Sequence, residues 1–258
     1  MTDPLQSNSD RRTVRTPVAP LLGEPRISTA LTSQLLAGEV VDVIDGRGDW
    51  MQVRGMDGYE GWTHVGYLAP SGGGEGTWRW SLGCLVREAN GVVHWLPLGA
   101  RIAAATDVME GLAIPADARA PRFLPEPGAI AASAASLFSG ASYLWGGVTP
   151  WGVDCSGLVQ RIALLHGVPL PRDAWQQALA SDPVGADAED AHQPADLLFF
   201  SDREDRRITH VGMALGDGRM VHSALARGGV TIEQLAADDP YVARLRAQCT
   251  GVHRMRLT

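Results

Sequence analysis

The chain has 258 residues and a formal net charge of −7, and every basic residue is an arginine. A hydrophobic content of 45% against 20% charged residues is that of a globular protein, long enough for two or three small domains. An acidic balance without a long basic run excludes a nucleic-acid footprint and a charge-driven grip on anionic lipid. Three widely separated cysteines, Cys84, Cys155 and Cys249, exclude a disulfide framework and a paired-cysteine metal site. No metal or cofactor is expected, nor a nucleic-acid or membrane partner, and composition leaves the oligomeric state open. Residues 1–20 are polar and lack the apolar stretch of a signal peptide, and no apolar run is long enough to span a bilayer. The expected location is the cytoplasm.

Residues 1–16 read as a disordered tail. From there the texture is short β-runs broken by turns. Val40-Val41-Asp42-Val43-Ile44, Trp50-Met51-Gln52-Val53-Arg54 and Tyr59-Glu60-Gly61-Trp62-Thr63-His64 are separated by Gly- and Asp-rich turns, the pattern of a small barrel over residues 17–72. Ser71-Gly72-Gly73-Gly74-Glu75-Gly76 is a flexible linker by composition. A second β-rich block spans 77–124, with Ala89-Asn90-Gly91 as a hairpin turn. Residues 121–128 are a Pro-rich boundary.

The character then changes. Residues 129–139 are Ala-rich and helical by propensity. Leu158, Val159, Ile162 and Leu165 recur at helical spacing after Asp154, and Gly167 with Pro169 stops that helix. Asp173 is placed to cap another. Residues 194–200 form a continuous apolar strand, and residues 208–215 and 219–224 flank Gly216-Asp217-Gly218. Helices before strands predict an α+β domain over 128–258.

Asp154-Cys155-Ser156-Gly157 puts a thiol at a helix N-terminus, where unpaired amides and the helix dipole favour the thiolate. The Cys155 amide is a candidate oxyanion donor. If Gly216-Asp217-Gly218 is a three-residue loop, His210 and His222 are diagonal neighbours on one sheet face, roughly 7–8 Å apart between backbones. A two-residue loop would put them on opposite faces. Cys155, His210 and His222 then match the roles of nucleophile, base and orienting group.

The order and spacing of Tyr143-Leu144-Trp145-Gly146-Gly147, Asp154-Cys155-Ser156-Gly157-Leu158-Val159-Gln160, Pro171-Arg172-Asp173, Pro194-Ala195-Asp196-Leu197, His210-Val211-Gly212 and His222 resemble the NlpC-type cysteine peptidases. These have a papain-like fold and cut bacterial cell-wall peptides. The motif from Gly61-Trp62 to Tyr67-Leu68 resembles bacterial SH3-like domains, and residues 77–124 read as a more divergent second copy. Two such barrels ahead of the peptidase resemble one subgroup, the γ-D-glutamyl-L-diamino-acid endopeptidases or dipeptidyl-peptidases VI. These require a free N-terminal L-Ala on a short murein peptide.

The resemblance implies Cys155 as nucleophile, His210 as base and His222 as orienting residue. It places Asp154, Tyr143 and Tyr59 at the peptide's amino end, and Ser156 and Asp173 at other peptide-binding positions. Asp154 and Asp173 also suit plain helix caps. A carboxylate beside the nucleophile opposes thiolate formation, which makes sense if Asp154 meets a substrate ammonium. Two departures stand out. Ala174 replaces a serine common after Pro-Arg-Asp, and no motif locates the barrel glutamate that contacts the amine in the subgroup. The implied function is recycling of freed murein peptides. Alternatives are a murein endopeptidase acting on intact peptidoglycan outside the cytoplasm, or a non-catalytic wall-binding scaffold.

Overall fold

A computed structural model describes residues 10–71, 77–188 and 193–257. The N-terminal unit is one antiparallel sheet of seven strands. In spatial order they are Leu31–Leu36, Val18–Leu22, Glu60–His64, Trp50–Arg54, Val40–Arg47, Arg11–Val14 and Leu68–Pro70. Alternating strands send Val14, Ala19, Leu21, Leu35, Val41, Val53 and Leu68 into a common core. Arg11–Val14 corrects the expected disordered tail. Its polar text hides Val14, which is 2% exposed, and its backbone pairs on both sides, with Val40–Arg47 and with Leu68–Pro70. The rest of that tail, residues 1–9, and residues 72–76 of the expected linker lie outside the described residues.

The second block is built on a long strand, Trp78–Arg87, which pairs with Val93–Leu96, Arg101–Ala103 and Asp107–Pro115. The expected hairpin is present, with Arg87 opposite Val93 across the Ala89-Asn90-Gly91 turn. Two register shifts bend Asp107–Pro115. At Gly111, with φ +78°, a Cβ would collide with the Gly83 carbonyl, so the close approach of the two strands requires glycine. This block shares its core with its neighbours. Trp80, Leu98, Ile114 and Phe123 pack in one cluster with Leu158, Ile162 and Phe199, and Cys84, Val86 and Leu96 pack with Leu36 of the first barrel and Val148. Its apolar residues thus serve surfaces shared with both neighbours as well as its own interior.

The C-terminal unit is α+β, as expected. Helix Pro127–Leu137 and helix Cys155–Leu165 lie against a six-stranded antiparallel sheet. Its order is Asp182–Gly185, Cys249–Arg254, Leu197–Phe200, His210–Gly216, Arg219–Ala224, Gly229–Gln234. Leu197–Phe200 is apolar throughout because it is covered on both faces. Leu197 and Phe199 join the helix-side core. Leu198 and Phe200 join a second core closed by Leu245 of helix Pro240–Ala247.

Side chains stitch the first barrel to this unit. Arg161 Nη1 donates to Glu39 Oε1 at 2.7 Å, Gln160 Nε2 to Asp57 Oδ2 at 2.9 Å, and the Val148 amide to Gln34 Oε1 at 3.0 Å. The Arg161 and Glu39 side chains are only 10% and 14% exposed. Removing one partner of a mostly buried pair strands the other charge. Arg161→Ala is therefore expected to lower stability by about 3 kcal/mol, and adding Glu39→Gln to recover part of that loss. Urea unfolding of the two variants decides; equal losses would contradict a stranded charge.

Candidate active site

Asp154 caps the start of helix Cys155–Leu165. It sits in extended backbone, φ −93° and ψ 178°, and its side chain accepts from the Gly157 amide at 2.7 Å, an N-cap bond. Its other oxygen accepts from the Gly146 amide at 2.8 Å. A Cβ at position 157 would strike the Gly147 carbonyl, so glycine lets the helix approach this loop. Leu158, Val159, Ile162 and Leu165 turn inward, as their spacing predicts. Cys155 thus occupies the first helical position at 8% exposure.

The Asp154 carboxylate is already engaged. Arg172 donates to it in a fork, Nη1 to Oδ1 at 3.0 Å and Nη2 to Oδ2 at 2.6 Å. The same guanidinium reaches Ser156 Oγ at 2.9 Å and, through Nε, Ser33 Oγ of the first barrel at 3.0 Å. Arg172 is 2% exposed and Asp154 6%. The carboxylate expected to await a substrate ammonium carries a buried counter-ion of its own, and the Ser156 hydroxyl is held in the same cluster.

The two histidines meet as expected, by a different turn. Asp217 and Gly218, both at positive φ, make a two-residue turn, while a register shift at Leu215 inserts one extra residue. Met213 remains opposite Val221, the register of a three-residue loop. His210 Nε2 and His222 Nδ1 are 2.8 Å apart, with the rings edge to face at 74°. His222 is completely buried behind His210.

Burial reverses the expected charge state of the thiol. It pushes the Cys155 thiol up to about 12, with Asp154 adding to the rise; the Val211 and Ser156 amides and Arg172 oppose this and lose. A helix N-terminus contributes about 0.3–1 kcal/mol, whereas full burial shifts such a group by about 3–5 pKa units. His210 is pushed down to about 3 by burial and by His222. The free site therefore holds a neutral thiol and a neutral imidazole.

Cys155 and His210 line a cavity of about 820 Å³. Asp154, Ser156, Asp173, Tyr143 and the barrel's Tyr59 line it too. Tyr143 is raised to about 12 by burial, then by Cys155 and Asp154. Burial raises the Asp173 carboxyl, while Arg172, Trp175 and Tyr59 act against that rise. Unlike Asp154, Asp173 has no ion-pair partner among the described residues. It begins helix Ala174–Leu179, where its amide donates to Gln176 Oε1 at 3.4 Å. Ala174 is buried and puts no hydroxyl on this wall. Glu39 does not line the cavity and is held by Arg161 instead. Sequence reasoning quoted Arg172 without giving it a role, and missed Trp175 and Tyr241 of the lining and Glu233 beside His222. The Pro-Arg-Asp motif marked Arg172; Glu233 lies in a strand, Gly229–Gln234, that no motif marked.

A papain-like domain whose cavity is lined by a cysteine and by a histidine hydrogen-bonded to a second, buried one is the arrangement of a cysteine peptidase. Residues 140–246 match the NlpC/P60 family and residues 21–68 the bacterial dipeptidyl-peptidase SH3 domain, so the chain carries an NlpC/P60 peptidase domain behind an SH3-like one. It is 29% identical to the γ-D-glutamyl-L-lysine dipeptidyl-peptidase of Bacillus cereus over 241 residues, 78% of this chain and 70% of that one. It is 43% identical to the Bacillus subtilis enzyme of the same name over 101 residues, which are 39% of this chain but only 32% of that one. The crystal structure of an NlpC/P60 protein from Bacillus cereus superposes with TM-score 0.78 at 20% identity, covering 96% of this chain and 100% of that one, and so shares the fold of the whole.

Two outcomes follow. Arg172→Ala is expected to destabilise by about 3–5 kcal/mol, because it leaves Asp154 buried and unpaired; a urea-unfolding loss under 1 kcal/mol would contradict this. The second concerns pH. An unfolded imidazole takes a proton near about pH 6.5, but His210 stays neutral down to about 3. The folded chain binds fewer protons in that window, so stability is lost as pH falls through it, by up to about 1.4 kcal/mol per unit. Cys155 acts at the other end. Its raised value contributes stability that is lost as pH rises from about 8.5 upward. Urea midpoints measured from pH 7 to 4 are expected to fall less steeply for His210→Asn than for wild type.

Proposed function

We propose that the protein hydrolyses the γ-D-Glu–diamino-acid bond of short murein peptides that carry a free N-terminal L-Ala, acting on freed peptides in the cytoplasm. The observation that carries this reading is that the barrel's Tyr59 and the thiol of Cys155 line one cavity. A barrel residue in the wall of the same cavity would limit the length of a bound peptide on that side, which favours a short substrate over intact wall. The names of the Bacillus relatives support the same bond class.

In this mechanism His210 takes the Cys155 proton as sulfur attacks the γ-carbonyl of D-Glu. The tetrahedral oxyanion meets the Cys155 amide at the helix start. His210, now imidazolium and oriented by His222, returns the proton to the leaving amine, and a thioester remains. Water, deprotonated by His210, then cleaves the thioester and releases L-Ala-γ-D-Glu. Starting from neutral partners, the site makes a thiolate only when substrate is present to receive it, which suits a thiol raised to about 12.

The peptide's ammonium is read chiefly by Asp173 with Tyr59 and Tyr143. Asp173 carries a cavity-wall carboxylate without an ion-pair partner among the described residues, whereas Asp154 is paired with Arg172 and serves mainly to set the nucleophile helix. Ser156 holds the same corner through its bonds to Asp154 and Arg172.

The test is cleavage of L-Ala-γ-D-Glu-diaminopimelate beside its N-acetylated form. Only the free peptide is expected to yield product, and Cys155→Ala is expected to yield none. Equal cleavage of the blocked peptide would overturn amine recognition and favour action on intact peptidoglycan. Asp173→Asn keeps a good helix cap and is expected to lower kcat/KM for the free peptide by about 10–100-fold, the worth of a charged hydrogen bond.

A further inference from the structure

A histidine paired with a histidine has a polarity problem. Either ring can donate the bond between His210 Nε2 and His222 Nδ1. Only one direction leaves a base. If His210 donates from Nε2, its Nδ1 is a bare lone pair. If His222 donates from Nδ1, the proton of neutral His210 sits on Nδ1 and no base remains. Nothing in the pair itself selects between these states.

We propose that Glu233 is the positioning residue that selects the productive polarity, by holding the proton of His222 on Nε2 so that Nδ1 must accept from His210. The sheet places it there. His222 lies opposite Thr231, so Glu233, two residues on, is a diagonal neighbour on the same face. His210, His222 and Glu233 therefore form a stepped row across three adjacent strands, His210–Gly216, Arg219–Ala224 and Gly229–Gln234. Glu233 Oε1 is 3.7 Å from His222 Nε2, roughly 0.8 Å beyond a formed hydrogen bond. His222 Nε2 is buried and has no hydrogen-bond partner among the described residues. A buried N–H without an acceptor is costly, and Glu233 is the acceptor within reach.

The carboxylate is itself held. Arg227 donates from Nε at 2.7 Å and from Nη2 at 3.2 Å, one bond to each Glu233 oxygen. Arg227 Nη2 is also 3.2 Å from Asp239 Oδ1, and the guanidinium lies over the Tyr241 ring at 4.5 Å. Tyr241 in turn lies 6.2 Å from the His222 ring, with the Arg244 guanidinium 5.6 Å from its own ring. The titratable and charged groups packed around the row are thus His210, Cys155, Arg227, Asp239, Tyr241 and Arg244. His222, then Arg227, hold the Glu233 carboxyl below its usual range against the effect of burial, so it stays an acceptor at neutral pH. The row also stabilises the imidazolium that His210 becomes during acyl transfer, because a buried anion terminates it.

The inference rests on His210 being the base of the proposed reaction, and its decisive readouts need no murein peptide. Ring nitrogen-15 spectra of the whole protein are expected to show His222 protonated on Nε2 and His210 protonated on Nε2, with Nδ1 bare in both. Glu233→Gln, which can either donate or accept, is expected to mix the tautomers. Alkylation of Cys155 by iodoacetamide is expected to slow by about 10–100-fold and its acid limb to move to lower pH, since the imidazolium loses its anion. In the peptide assay kcat falls and KM holds. Glu233→Asp, which keeps the charge, is expected to restore the wild-type tautomers. A wild-type spectrum with His222 protonated on Nδ1 overturns the proposal, as does a folded Glu233→Gln with wild-type tautomers and alkylation profile. If Glu233→Gln does not fold, the wild-type spectrum decides alone. A peptide that is not cleaved, with these spectra as expected, counts against the substrate and not against Glu233.

Discussion

The buried pair between Asp154 and Arg172 is the constraint on which the site depends. One carboxylate caps the nucleophile helix, ties down the Gly146 amide of the preceding loop and anchors a guanidinium that spans to Ser156 and to Ser33 of the barrel. A buried ion pair is weak evidence for stability, since its desolvation offsets much of its attraction. What it supplies here is registry. Helix start, approach loop and barrel wall are fixed to a single point, one residue from the Cys155 sulfur.

That arrangement has an electrostatic consequence. The features that position Cys155 also remove it from water and place an anion beside it, so the thiol keeps its proton at rest. The helix N-terminus is too weak to reverse this. In the proposed reaction, reactivity then depends on proton transfer to His210 rather than on a standing thiolate, which puts weight on the protonation state of the histidine pair. The carboxylate behind that pair, clamped by Arg227, suits such a design.

The two β-rich units differ in how they support the site. The first has a core of its own and presents polar contacts to the peptidase domain. The second shares its interior with both neighbours. Trp80, Leu98 and Ile114 belong to the same apolar cluster as helix Cys155–Leu165. On its other side Cys84, Val86 and Leu96 pack with Leu36 of the first barrel, so this block lies against both other units.

Local pattern was enough for most elements. Helical spacing marked Leu158, Val159, Ile162 and Leu165, glycine turns marked the barrel strands, and motif order assembled Cys155, His210 and His222, because each signal lies within a few residues of its own structure. The Arg11–Val14 strand was illegible, since pairing on both sides rather than sequence texture makes it a strand. Leu215 shows the same limit. A local turn rule gave the right face only because a bulge compensated a shorter turn. The sequence by itself singled out Cys155, His210 and His222 as candidates for chemistry and set their order along the chain. Only the tertiary structure decided their charge states and partners. Burial sets the Cys155 and His210 protons, and the contacts of Asp154 with Arg172 and of His222 with Glu233 join residues 18 and 11 positions apart. No local pattern can encode a desolvation that comes from the whole fold closing around a side chain.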